Sequence, residues 1–155
     1  MKLYRQMVES SVHPDQQTLL FVIQACGNLA LQQKAACIHS SAIMTLCLEV
    51  GYGLHGIAHW KQLTSDTFIS TALLKMYGQC SAIVEAENVF ASFSHRDIVV
   101  WTTMLTIYIE QGRGDSALKL YANMQAEDVN LDDISIICIL QGCSDRGSLG
   151  ICENI

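Results

Sequence analysis

Trp101-Thr102-Thr103-Met104-Leu105-Thr106-Ile107-Tyr108-Ile109-Glu110-Gln111-Gly112-Arg113-Gly114-Asp115-Ser116-Ala117-Leu118-Lys119-Leu120-Tyr121 carries the pattern that decides the fold. Trp101, Met104, Leu105 and Tyr108 stand at i, i+3, i+4 and i+7. Ala117, Leu120, Tyr121 and Met124 repeat that spacing after a polar, Gly-containing break. A period near 3.6 places each set on one face of a helix. So short a break between two helices turns them antiparallel. The same stripe recurs in Ile69, Ala72, Leu73 and Met76, in Ala86, Val89, Phe90 and Phe93, and in Leu19, Val22, Ile23 and Cys26. Five stripes of one spacing predict stacked helical hairpins, none able to bury its apolar face alone. The alternation of a half-buried strand is absent. Asp66 and Asp115 are predicted to be N-caps, since a carboxylate there accepts from free first-turn amides.

An internal repeat supports the stacking. Lys2-Leu3-Tyr4-Arg5-Gln6-Met7 matches Lys119-Leu120-Tyr121-Ala122-Asn123-Met124. The match continues without a gap through Val12/Val129, Asp15/Asp132, Gln24/Gln141 and Cys26/Cys143, 117 residues apart. Fixed-period self-similarity is the signature of repeat architecture.

Composition narrows the function classes. The chain has 155 residues, half of them hydrophobic, one proline and a net charge of −6. Such apolar content argues against disorder. The negative charge excludes a strongly basic domain, so any nucleic-acid binding must use a local surface. Seven cysteines without a CxxC pair give no disulfide framework and point to a reducing compartment, most of them acting as small apolar residues. No signal peptide is readable, and Ser40 to Trp60, the nearest approach to a membrane span, carries Glu49 near its centre.

Motifs for catalysis or cofactors are weak. Gly51-Tyr52-Gly53-Leu54-His55-Gly56 satisfies GxGxxG, but a dinucleotide site needs a preceding strand; helix packing is the expected role. His55 and His59 are i, i+4 yet lack a third ligand and the HExxH glutamate. Cys138 with Cys143, and Cys37-Ile38-His39, make no convincing ligand set. No metal, cofactor or catalytic residue is assigned, and the chain is not expected to be an enzyme.

Arg96-Asp97-Ile98-Val99-Val100-Trp101-Thr102-Thr103-Met104, then Tyr108, Gly112, Ala117-Leu118 and Met124, resemble the plant pentatricopeptide repeat proteins of the PLS subclass. Ala72-Leu73-Leu74, Met76-Tyr77, Cys80, Ala86 and Val89-Phe90 are similar to its short repeat. Ala25-Cys26 with Leu29, and Leu48 to His55, look like its long repeat. The resemblance implies an all-α fold, a right-handed α-solenoid of stacked antiparallel hairpins. It divides the chain into a partial repeat (1–15), a long repeat (16–66), a short repeat (67–97), a standard repeat (98–132) and a partial long repeat (133–155), as in a truncated fragment. One triplet in the family takes about 101 residues, so the long repeat carries about 16 extra residues between Cys26 and His55, read as an insertion or partial duplication.

The resemblance also implies a function: sequence-selective binding of single-stranded RNA in organellar RNA processing, in mitochondrion or chloroplast, with cytidine-to-uridine editing sites specified for a deaminase acting in trans. No membrane partner is implied. In the family, Thr71 with Asp97 and Thr102 with Asp132 would each read one base edge with a preference for guanine. Phe68 and Val99 would be apolar wedges against the base. Leu20 and Ile137 stand where the threonines stand and cannot read an edge. The competing local reading makes Asp97 and Asp132 caps and the threonines polar helix ends. The competing function is a protein-binding helical scaffold of tetratricopeptide type. Cations such as Lys75 and Arg96 near the groove would favour RNA; an apolar or acidic groove would favour a peptide.

Overall fold

Three aspartates start three helices. Asp15 accepts from the Thr18 amide at 2.7 Å. Asp66 accepts from the Phe68 and Ile69 amides at 2.8 and 3.2 Å, and Asp97 from the Val100 amide at 3.0 Å. Each fills first-turn donors that have no partner within the helix. The computed structural model describes residues 6, 10, 14–35, 41–63, 66–129, 133, 136, 137 and 140. Among them six helices occur and no strand: α1 Gln16–Ala35, α2 Ser41–Trp60, α3 Thr67–Gln79, α4 Ile83–Ser92, α5 Ile98–Glu110 and α6 Gly114–Ala126. The all-α expectation holds. No helix among the described residues is long and apolar enough to cross a membrane.

The helices end as regularly as they begin. After α3, Ser81 N–H donates to Gly78 O and Ala82 N–H to Tyr77 O. After α5, Gly112 donates to Ile109 O and Arg113 to Tyr108 O; after α6, Asp128 donates to Gln125 O and Val129 to Met124 O. These are three Schellman stops, each needing one left-handed residue. Gly112 supplies it without steric cost, whereas Ser81 and Asp128 adopt φ 59° and 54°. A left-handed non-glycine residue costs about 1–2 kcal/mol. Ser81→Gly is therefore expected to stabilise the protein by about 1 kcal/mol, and Gly112→Ala to destabilise it by a similar amount. A Cβ at Gly112 would meet nothing within 4 Å, so only the backbone term acts there. Urea unfolding midpoints moving in opposite directions would bear this out; equal shifts would not.

Asp115 is not the N-cap of α6. That place falls to Arg113, whose side chain makes no capping bond, and Asp115 lies inside the first turn. A carboxylate there still faces the positive end of the helix dipole.

Contacts divide the chain into two units, Met1–Val89 and Phe90–Ile155, the boundary falling inside α4. In the first unit α1 packs on α2 and α3, and α2 on α3. Gln16 Nε2 donates to Asp66 Oδ2, and Gly27 lies against Met76 and Gln79. Contacts at both ends make α1 and α3 parallel and level at their starts. Lys61 Nζ donates to the Pro14 carbonyl, while Ala30, Cys47 and Cys80 share a core cluster. Those two contacts make α2 antiparallel to α1. Tyr52 donates to Glu85, joining α2 to α4. The result is hairpin leaning on hairpin, as an α-solenoid requires. In the second unit α5 packs on α6, around Trp101, Met104, Leu105, Ala117, Leu120, Tyr121 and Met124, all buried.

The extra length of 16–66 resolves into helix. Its two helices have 20 residues each, against 13 in each helix of the 98–132 stretch. The five positions between them, 36–40, lie outside the described residues. Seven residues are close to two turns, so both apolar faces keep their direction. Because α1 and α3 start level, the last two turns of α1 run about 10 Å beyond the end of α3.

Candidate nucleic-acid interface

Eight of the 13 residues of α3 are buried. One stripe stays open: Thr67, Phe68 and Lys75 are exposed, with Thr71 and Gln79 half-buried between neighbours. Phe68 is 78% exposed, a large apolar ring held two residues after a capping aspartate. Thr71 follows on the same face. Its Oγ1 is covered and has no hydrogen-bonding partner.

The start of α5 repeats this arrangement 31 residues later. Asp97 caps, Val99 is 49% exposed, and Thr102 follows. The two threonines differ in one respect. Thr102 is 7% exposed, and its hydroxyl donates to Ile98 O. Thr103 and Thr106 bond back similarly, to Val99 O at 2.6 Å and Thr102 O at 2.8 Å. Such back-bonding occupies the hydroxyl proton and leaves lone pairs free to accept. Thr102 therefore offers acceptors only, whereas Thr71 has its proton unspent.

The expected pairs are not assembled within either unit. Thr71 belongs to the first unit and Asp97 to the second. Asp132, the expected partner of Thr102, lies outside the described residues, as do Cys37, Ile38, His39, Cys138 and Cys143. On α1 the corresponding places hold exposed Gln17 and half-buried Leu20. Ile137 is 54% exposed.

Arg96 corrects an expectation. Its guanidinium does not stand free for a phosphate. Nε donates to Phe90 O at 3.1 Å, and the guanidinium lies 4.7 Å from the Phe90 ring centroid and 5.8 Å from that of Trp101. Phe90 and Trp101 meet edge to face at 5.2 Å. Nη1 reaches Glu127 at 3.7 Å. Arg96 is thus a clamp inside the second unit. Elsewhere Lys61 is tied to Pro14, and Lys75, Arg113 and Lys119 are exposed.

The GxGxxG glycines sit inside α2, with no strand before them among the described residues. Gly51 gives room for Met76, and Gly56 faces open space. His55 turns to Tyr77, Nδ1 lying 3.3 Å from its hydroxyl. No group of three metal-ligating side chains occurs among the described residues. Cys26, Cys47 and Cys80 are buried, and none forms a disulfide among the described residues. Burial, with Cys47 nearby, pushes Cys26 up to about 11, so it behaves as an apolar filler rather than a nucleophile.

Burial, and secondarily charge on His59, lowers the pKa of His55 below its ordinary 6.5. The unfolded chain therefore takes up that proton more readily than the folded one. The stability held by neutral His55 is present above pH 6.5 and is lost as pH falls below it. His55→Gln is expected to flatten the stability profile between about pH 7 and 5. Urea midpoints across that window read the effect, and an unchanged slope would contradict it. The Asp15 cap acts in a separate window. Hydrogen bonds from Thr18 hold its carboxyl below 3.8, so its contribution fades only in stronger acid.

Residues 96–145 match the PPR repeat family. The chain is similar to a pentatricopeptide repeat-containing protein of Arabidopsis thaliana, with 36% identity over 146 residues, covering 94% of this chain and 20% of that protein. A mitochondrial relative from the same plant is 30% identical over 144 residues, covering 93% of this chain and 19% of the relative. A chloroplastic one is 28% identical over 145 residues, covering 94% and 16%. The chain spans about a fifth of the length of the curated relatives it matches. The repeat model matches residues 96–145, and the relatives that this chain resembles along most of its length are pentatricopeptide repeat-containing proteins.

Proposed function

We propose that this chain binds single-stranded RNA sequence-selectively as part of organellar RNA processing, in mitochondrion or chloroplast, as a PLS-type array. One observation carries the reading. Capping aspartate, exposed apolar side chain and threonine recur at positions 66, 68 and 71 and at 97, 99 and 102, each along one helix start. Phe68 and Val99 each pack a base face. Thr71 with Asp97, and Thr102 with Asp132, read one base edge each. RNA recognition favours such unstacked bases, held by their faces and hydrogen-bonded at their edges. For Thr102 the chemistry favours guanine. A hydroxyl whose proton is spent on Ile98 offers only acceptors, as a carboxylate does. Guanine presents two donors on its pairing edge, N1–H and the amino group.

The relatives named mitochondrial and chloroplastic support the organellar setting. A role in specifying cytidine-to-uridine editing sites is the finer form of the reading. The deamination then belongs to a partner in trans, and this chain supplies binding without catalysis. Fluorescence anisotropy with a short RNA carrying adjacent guanines, against the same RNA with uridines, at two salt concentrations, tests it. Tighter binding to the guanine RNA at both salts is expected. Equal weak binding to both would remove the base-reading claim.

A protein-binding scaffold is the second reading. The net charge of −6 and the internal use of Arg96 favour it. It predicts no RNA preference in the same assay.

A further inference from the structure

We propose that Lys75 is the phosphate contact of the nucleotide held at the start of α3. The inference rests on the RNA reading above and adds a residue to it. Burial leaves α3 one open stripe, along which lie in order an exposed ring at Phe68, half-buried Thr71 with a covered hydroxyl that has no partner, and an exposed ammonium at Lys75. A nucleotide has three matching parts: a base face, a base edge and a phosphate.

The spacing fits. Phe68 to Thr71 and Thr71 to Lys75 are i, i+3 and i, i+4 neighbours on one helix face. A full turn rises 5.4 Å, and the flexible four-carbon stem of lysine carries the charge further. Among the described residues Lys75 makes no ion pair, unlike Arg96, and no carbonyl tie, unlike Lys61. Its charge is therefore available to a ligand.

The corresponding places on α1 and α5 are neutral. Gln24 is exposed on α1, and Thr106 on α5 donates to its own helix. In a chain of net charge −6, one free cation beside the hydroxyl and ring focuses attraction where the global field opposes it. Phosphate contacts position the nucleic acid and carry no sequence information. Lys75 thus sets affinity and register, while Thr71 sets base preference.

The test uses the full chain with a labelled single-stranded guanine-containing RNA and its uridine counterpart, titrated across a salt series. Four proteins are compared: the unsubstituted chain, Lys75→Gln, Thr71→Asn, and Lys119→Gln as a control of equal charge change at an exposed position on α6. Lys75→Gln is expected to reduce the slope of log affinity against log salt by about 0.7, one single-strand phosphate contact, or about fivefold at 0.1 M salt. The guanine-to-uridine ratio should stay unchanged. Thr71→Asn should change that ratio and keep the slope, and Lys119→Gln should change neither. If Lys75→Gln and Lys119→Gln shift the slope equally, or neither does, the Lys75 contact is overturned while RNA binding stands. If the unsubstituted chain shows no base preference, the RNA reading itself fails. Circular dichroism of each variant checks that the helices stay intact.

Discussion

Gly51→Val is expected to cost about 2 kcal/mol, and Gly56→Ala to add up to about 1 kcal/mol. Both glycines lie in α2 and belong to the same GxGxxG pattern. Their surroundings are opposite. A Cβ at Gly51 would approach Met76 Cε to 2.7 Å and Sδ to 2.8 Å, with the Tyr77 ring at 3.7 Å. Met76 and Tyr77 are both buried, so the methionine has little room to yield. Overpacking of this kind costs about 1–3 kcal/mol. The branched side chain of valine adds two further carbons to the crowding, and its better helix propensity offsets only part of the cost. At Gly56 a Cβ meets nothing, so alanine gains propensity without a clash. Thermal unfolding of the two variants decides the matter. Midpoints moving in opposite directions identify Gly51 as a packing glycine. Parallel shifts would mean that α2 does not lie against α3 as described.

Arg96→Ala is expected to destabilise the second unit by about 2–3 kcal/mol, whereas Glu127→Gln should cost less than about 0.5 kcal/mol. The large term comes from the half-covered guanidinium. It donates to Phe90 O and lies over two aromatic rings. A hydrogen bond from a charged donor is worth about 1.5–3 kcal/mol, and a partly desolvated cation–π contact about 1 kcal/mol. The ion pair to Glu127 is long, at 3.7 Å, and its carboxylate side chain is 52% exposed. Solvent screens such a pair almost completely. Arg96→Lys keeps the charge and loses the planar stacking, so it should recover only part of the loss. Equal costs for Arg96→Ala and Glu127→Gln would show that the pair, rather than the rings, holds this corner.

Periodicity revealed much of this fold because the helices involved have one wet face. The stripes at Ile69–Met76, Trp101–Tyr108 and Ala117–Met124 each coincide with a helix whose apolar face is buried. Helix α2 also buries one face, at Cys47, Gly51, Leu54 and Ala58, but that face is built partly of glycine and alanine while Tyr52 and Trp60 are exposed, so apolarity alone does not mark it. The extra 16 residues were countable by offset, but their form was not. Two added turns in each helix restore the same phase, so the pattern carries no break to mark them. Helix α3 runs through Gly78 to Gln79, with Gly78 buried in its packing face.

The candidate interface was legible in part, for a related reason. Threonine, aspartate and exposed apolar residue recur in the sequence itself. Which hydroxyl has a free proton depends on back-bonding geometry, and sequence does not carry that. Arg96 shows the same gap. Between Phe90 and Trp101 an arginine reads as a surface cation until the two rings are seen around it. A caution was present in the sequence, since arginine prefers aromatic faces.

In the proposed interface one threonine reads one base. Thr102→Asn isolates that role, with anisotropy measured on a set of short RNAs that vary the base at a single position at a time. Preference is expected to change at one nucleotide, away from guanine, while the other positions keep theirs. Preferences unchanged everywhere, or lost at all positions together, would contradict it.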